Sequence, residues 1–139
     1  VKLRYLLDTN TLSEPLRKIP NAAVLAKIHI HQQKIAIATP ILYEIARGAY
    51  RLPESRKRSR ILEYIQDFIL VQLPILPYDD AAALWQAAEV ARLVQLGLTS
   101  SPIDGQIAAI AKSQNLILVT RNVSDFQYFQ DLQIENWFK

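Results

Sequence analysis

Short apolar runs alternate along this chain with longer segments whose apolar positions recur at helical spacing, the pattern of strands and helices taking turns. Leu3 to Leu7 reads as a buried first strand, and its near-continuous apolarity suits a parallel sheet covered on both faces. A short helix is predicted over Leu12 to Lys18. Pro20-Asn21 makes a break, and Ala22 to Gln33 forms a second helix with Val24, Leu25, Ile28 and His31 in phase. Ile35 to Ala38 is the next strand. Thr39 then serves as an N-cap and Pro40 as a first helical residue, giving a helix from Pro40 to Arg51 with Ile41, Leu42, Ile45 and Ala49 inward and Glu44 off that stripe.

Pro53-Glu54 opens a further helix to Leu70, with Ile61, Leu62, Ile65 and Ile69 facing the core. Leu73 to Leu76 makes a weak strand, placed at a sheet edge because Pro74 and Pro77 cannot donate ladder hydrogen bonds. Asp79 or Asp80 caps the longest helix, which stops at Gly97, and Ser101 caps another from Pro102 to Gln114 that Asn115 ends. Leu116 to Thr120 is the clearest late strand, followed by the polar turn Arg121 to Phe126, and Ile134 to Phe138 adds a short last strand. Strands alternating with helices imply right-handed crossovers and a mostly parallel sheet whose ligands bind outside the strands' carboxyl ends.

Composition narrows the picture. The 139 residues fit one domain, 1–139, able to bury a core without staples. Only three glycines oppose a glycine-rich phosphate loop, and the absence of cysteine excludes disulfides and thiolate zinc sites. No apolar stretch approaches the roughly 20 residues that span a bilayer, so a soluble, cytoplasmic protein with no membrane partner is expected. The net charge is +3, and Arg47, Arg51, Arg56, Lys57, Arg58 and Arg60 lie close together. A solvated helix face with a loop accounts for such a cluster, and so does a polyanionic partner. Positive charge in the first turns of the predicted helix also opposes its dipole.

Four acids stand at strand ends or in early helical turns: Asp8, Glu44, Asp104 and Asp125. Each has an ordinary account. Asp8 can cap the helix that follows it, Glu44 can be a solvated flank residue, Asp104 can complete a capping box with Ser101, and Asp125 can form an Asx turn. Their joint position is more telling, because a parallel sheet brings these corresponding edges together. Carboxylates so gathered repel, by ~4 kcal/mol for a pair about 4 Å apart at an effective dielectric of 20, so a hard cation should accompany them. Such an ion lowers the pKa of a bound water and stabilises a phosphodiester in hydrolysis. His29 and His31, two apart on a helix, point to different sides and make no catalytic pair. Two alternatives stay open: a phosphatase or phospho-acceptor domain using Asp8 as nucleophile, although the second Asp that phosphatases place nearby is Asn10 here, and a non-catalytic RNA- or protein-binding module.

Leu6-Leu7-Asp8-Thr9-Asn10, Leu12-Ser13-Glu14-Pro15-Leu16-Arg17, Pro102-Ile103-Asp104-Gly105-Gln106-Ile107-Ala108-Ala109-Ile110-Ala111 and Val119-Thr120-Arg121-Asn122 together resemble the PIN-domain ribonucleases. The likeness is to VapC-type toxins of type II toxin–antitoxin pairs, and the Ser-Glu-Pro-Leu-Arg stretch looks like their FitB-like branch. The resemblance implies an α/β/α sandwich, a homodimer, an acidic Mg²⁺ or Mn²⁺ site and cleavage of RNA. Asp8, Glu44 and Asp104 match the family's three core acids. The fourth position falls on Asn122 or Asp125, with Asn10 and Thr120 as further candidates to support the ligands or take that position. A cognate antitoxin would occlude the site, and Arg17, Arg47, Arg51 and Arg121 would form a basic rim for RNA phosphates.

Overall fold

The computed structural model describes residues 2–139. Five strands, β1 (Tyr5–Leu7), β2 (Ile35–Ala38), β3 (Ile75–Leu76), β4 (Ile117–Val119) and β5 (Ile134–Glu135), form one sheet in the order β3-β2-β1-β4-β5. Every pairing is parallel, with Leu6 of β1 facing Ala36 of β2 on one side and Leu118 of β4 on the other. All residues of β1 and β2 are buried, so both faces of the central sheet are covered and the chain adopts the expected α/β/α layering. β3 and β5 are two-residue edge strands, as the prolines around Ile75 and Leu76 require on one side.

Helices α1 (Thr9–Leu12), α2 (Ala22–Ile30), α3 (Thr39–Tyr50), α4 (Arg56–Tyr64), α5 (Leu70–Gln72), α6 (Asp80–Gln95) and α7 (Pro102–Ser113) supply the layers. Asp79 Oδ1 accepts from the Ala82 N–H at the start of α6, and Gly97, at φ +74°, turns the chain out of it. Gly105 and every residue from Ile107 to Ala111 are buried, which makes the alanine-rich α7 the inner wall of its layer. Its small side chains let it lie close to α6, where the Gln86 side chain crosses to the Pro102 carbonyl.

Several element boundaries depart from the sequence pattern. No helix covers Leu12 to Lys18; α1 begins directly after Asp8, whose carboxylate accepts from the Thr9 N–H, and a separate 3₁₀ turn spans Glu14–Leu16. Thr39 is the first residue of α3 and Ala38 its cap, without a side-chain hydrogen bond. The helix expected from Pro53 starts at Arg56, because Ser55 Oγ accepts from the Arg58 N–H. It then passes into a π-helical turn over Ile65–Ile69. There Ile65 and Ile69 are buried, Phe68 stacks on Tyr64, and the Tyr64 hydroxyl donates to the Leu12 carbonyl at 2.8 Å, tying this layer to α1.

Three polar or aromatic groups fasten the periphery. Buried Glu14 accepts from the Asn21 N–H at 2.7 Å, so its carboxylate docks the start of α2. Glu89, also buried, accepts from Arg92 and from the Gln130 N–H, and Arg92 in turn donates to the Tyr128 carbonyl, holding the C-terminal segment to α6. His31 packs between Tyr5 and Trp137 at the end of α2, the structural place expected of it. Glu14→Ala leaves the Asn21 N–H without its partner, and a loss of ~1–3 kcal/mol is expected by denaturant melting. A loss near zero would remove Glu14 from this role.

Candidate active site

The strand order reverses between β1 and β4: the chain moves outward from β1 through β2 to β3, then crosses back to β4. That reversal opens a crevice at the carboxyl ends of β1 and β4. Asp8 follows β1 and Thr120 follows β4, and the two meet across it, with the Thr120 hydroxyl donating to Asp8 Oδ2 at 2.8 Å. The other carboxylate oxygen accepts from the Thr9 N–H at 2.8 Å. Asp8 therefore caps α1 and faces the crevice at once.

Thr120 is fixed in its turn. Its oxygen accepts from the Asn122 N–H at 3.1 Å and from Asn10 Nδ2 at 3.4 Å, so its single proton is committed to Asp8. Asn10 Oδ1 accepts from the Arg121 N–H and from the Thr11 hydroxyl, both at 3.1 Å, pinning the loop after β4 to the start of α1. Thr120→Val removes the donor and leaves polar groups of Asp8, Asn10 and Asn122 short of a partner. Activity should fall by ~10- to 100-fold, the usual consequence of losing a group that orients a metal ligand. Retention of wild-type turnover in a steady-state assay would show that the bond positions nothing.

The electrostatics show which acids share the crevice. Burial pushes the Asp8 carboxyl above the ordinary aspartate range; the bonds from Thr120 and Thr9 hold it down, and the charges of Glu44 and Asp125 add to the rise. Burial likewise raises Asp104, the Ser101 hydroxyl restrains it, and the charges of Asp8 and Asp125 push it further up. Asp8 is thus the common member: the charges of Glu44 and Asp125 act on it, and its own charge acts on Asp104. Glu44, in the second turn of α3, is held by the Thr9 hydroxyl, which donates to its Oε1 at 2.9 Å. The capping box expected at Ser101 is only half made. Ser101 Oγ accepts from the Asp104 N–H at 3.1 Å, but among the described residues no hydrogen bond returns from the Ser101 N–H to the carboxylate.

At the fourth position, the charge of Asp125 is felt by Asp8 and Asp104, whereas Asn122 enters the network through its backbone N–H. No salt bridge among the described residues neutralises any of the four acids. Neither do three His, Cys, Asp or Glu side chains of the described residues group closely enough to enclose one ion. The donor set, all oxygen and short of positive charge, fits a hard divalent cation that retains several of its waters and takes one or two carboxylates directly.

The basic residues divide differently from the expected rim. A groove of about 1080 Å³ beside Glu44 and Thr9, between α1 with its 3₁₀ turn and the α3–α4 pair, is lined by Arg17, Lys18, Arg56, Lys57 and Arg60. Arg47 and Arg51 are exposed and do not line it, and the Arg121 guanidinium lies over the Phe138 ring, 4.7 Å from its centre. Of the four arginines expected at the rim, Arg17 alone is in the groove wall. Arg56, Lys57 and Arg60 belong to the basic cluster visible in the sequence, but that they meet Arg17 and Lys18 across a groove depends on the tertiary packing of α4.

Comparison with known proteins bears on the family and the fold. The family model for the PIN domain matches residues 5–130. The chain belongs to the PIN-domain family. It is 33% identical over 135 residues to the tRNA(fMet)-specific endonuclease VapC of Shigella flexneri, covering 97% of this chain and 98% of that protein. It is 32% identical over 124 residues to Toxin FitB of Neisseria gonorrhoeae, covering 87% of this chain and 89% of that one. Among solved structures, the chain aligns with one in the DNA-bound VapBC complex of Salmonella typhimurium at a TM-score of 0.84 and 30% identity, over 97% of this chain and 98% of the other. The chain also aligns with one in the FitAcB structure from Neisseria gonorrhoeae at a TM-score of 0.88 and 30% identity, over 96% of this chain and 98% of the other. These likenesses place this PIN domain with the VapC and FitB toxins, and they disfavour the phosphatase and phospho-acceptor alternatives.

Proposed function

We propose that this PIN-domain protein is the endoribonuclease toxin of a toxin–antitoxin pair, hydrolysing RNA phosphodiester bonds with help from Mg²⁺ or Mn²⁺. The observation that carries the reading is the placement of Asp8 at the end of β1, bonded to Thr120 after β4 and linked through Thr9 to Glu44, in a crevice where no cation among the described residues pairs with Asp8, Glu44, Asp104 or Asp125. Asp8 together with Glu44 or Asp104 would hold the ion directly, the remaining acid and Asp125 or Asn122 at the fourth position acting through its waters. When bound, such an ion supplies a water of lowered pKa and offsets the negative charge that builds on the phosphate.

The chain's own residues do the rest. Thr120 and the Thr9 N–H fix the rotamer of Asp8, so that the carboxylate keeps its remaining lone pairs directed into the crevice. Thr9 orients Glu44. Asp104, partly exposed at the crevice, can take a proton from the attacking water at a carboxylate oxygen and return one to the leaving oxygen as its bond to phosphorus breaks. The antitoxin partner is supported by relatives solved as VapBC and FitAB complexes. An acidic pocket without its ion suits a guanidinium from such a partner. We place the protein in the cytoplasm as a single PIN-like domain acting as a homodimer; no described helix is long and apolar enough to cross a membrane.

The test is digestion of RNA by purified protein, with tRNA as the first substrate because the Shigella relative is specific for tRNA(fMet). Cleavage that requires Mg²⁺ or Mn²⁺ and stops with EDTA is expected. Salt-dependent RNA binding with no cleavage under any metal would instead favour a non-catalytic module.

A further inference from the structure

Resting on the ribonuclease reading above, we infer that the groove walled by Arg56, Lys57 and Arg60 carries the RNA strand away from the scissile phosphate, while Arg47, Arg51 and Arg58 do not contact it. Three observations converge. The groove is continuous with the crevice, since Glu44 and Thr9 line it and are hydrogen-bonded to each other. A phosphate leaving the acids therefore meets positive charge next.

The cations of α4 are arranged for an external anion. Arg56, Lys57 and Arg60 fall on one side of the helix at spacings of three and four, with Arg17 and Lys18 across the groove. No acid stands in the first turn of α4 and, among the described residues, no salt bridge engages these three side chains, so the clash with the helix dipole is left uncompensated within the chain. Phosphates bound along the groove would remove it.

Arg58 shows the contrast. Its guanidinium donates to the Leu52 carbonyl at 3.3 Å and lies 5.4 Å from the centre of the Tyr50 ring, so it closes the α3–α4 turn and is not part of the groove wall. The groove floor is apolar, with Leu16, Ile45 and Ile61, and offers bases or sugars a surface while the rim holds phosphates.

The experiment measures binding of a long fluorescein-labelled single-stranded RNA to the full chain in EDTA, across a salt series, together with metal-stimulated cleavage of that RNA and of a dinucleotide. The R56Q/K57Q/R60Q variant should bind the long RNA more weakly, and its log-log salt slope should shrink by ~0.7 for each phosphate no longer neutralised, about 2 in all. In cleavage the loss should fall on KM more than on kcat, and weigh much less on the dinucleotide. R58Q, whose arginine braces the turn, should keep the wild-type salt slope even if its Tm falls. An unchanged slope in the triple variant overturns the inference, as does a slope lost only in R47Q/R51Q. Loss of antitoxin binding with wild-type RNA binding also overturns it, by assigning the groove to the protein partner. Should the wild type cleave nothing, the ribonuclease reading fails, while the salt slopes in EDTA still report separately on the groove.

Discussion

Changing Asp8 to asparagine is expected to lower RNA cleavage by more than ~100-fold, beyond what loss of a group that merely orients a metal ligand costs. The fold should survive. Asparagine keeps an oxygen for one of the two donors now serving the carboxylate, Thr9 N–H or the Thr120 hydroxyl, so the net change in stability should be on the order of 1 kcal/mol. Its sign depends on pH. Asp8 in the folded chain holds its proton more tightly than the ordinary value of 3.8 allows, so ionising it works against folding. Stability from this group therefore falls as pH rises from the unfolded pKa through the raised folded one, and is fully present below both. The substituted amide cannot ionise. The variant should gain stability relative to wild type at neutral pH and lose that advantage in acid, as read by melting temperature across the pH series. A variant that cuts RNA at the wild-type rate in magnesium removes Asp8 from the site.

Addition of Mn²⁺ or Mg²⁺ should raise the melting temperature of the wild-type protein at neutral pH. A ligand present at 100 times its dissociation constant stabilises the folded state by ~2.7 kcal/mol, which for a chain of this size corresponds to a shift of roughly 8–13 °C. The ion would offset the burial, and to a smaller extent the repulsion, that now push both Asp8 and Asp104 upward. The shift should consequently shrink in acid, where protons compete for the same oxygens, and should be largely lost in Asp8→Asn and Asp104→Asn. Ca²⁺ offers a control that binds oxygen donors with different geometry. An equal shift in wild type and in both variants would place the bound ion elsewhere on the protein.

How far the sequence carries these conclusions differs from residue to residue. The parallel sheet was legible in the runs of β1 and β2, because a strand buried on both faces has no polar alternation to confuse it. Asp8 was legible as a residue at a strand end, but capping and site chemistry stood as competing accounts of it. In the folded chain they coexist, since one oxygen serves Thr9 and the other Thr120. Asp104 carried the same ambiguity, and it resolves differently: Ser101 does cap α7, while the carboxylate is left available.

The basic residues were the least legible part of the site. One residue turns a helix by about 100°, so Arg56, Lys57, Arg58 and Arg60 spread around much of α4, and which of them face the acids depends on how α4 packs against its neighbours. The π-helical turn at Ile65–Ile69 adds a further change of phase that no local composition announces. Thr120 was named as a neighbour of the site, but its role as the junction between Asp8, Asn10 and Asn122 depends on residues arriving from opposite ends of the chain. Only the tertiary fold brings them together.

The most direct measurement is anomalous diffraction from crystals of the protein soaked in Mn²⁺. A manganese peak in the crevice after β1 and β4, bound by Asp8 together with Asp104 or Glu44 and completed by waters, is the predicted result. A peak that avoids Asp8, or an empty crevice at a manganese concentration that supports full RNA cleavage, would contradict the shared-ion account.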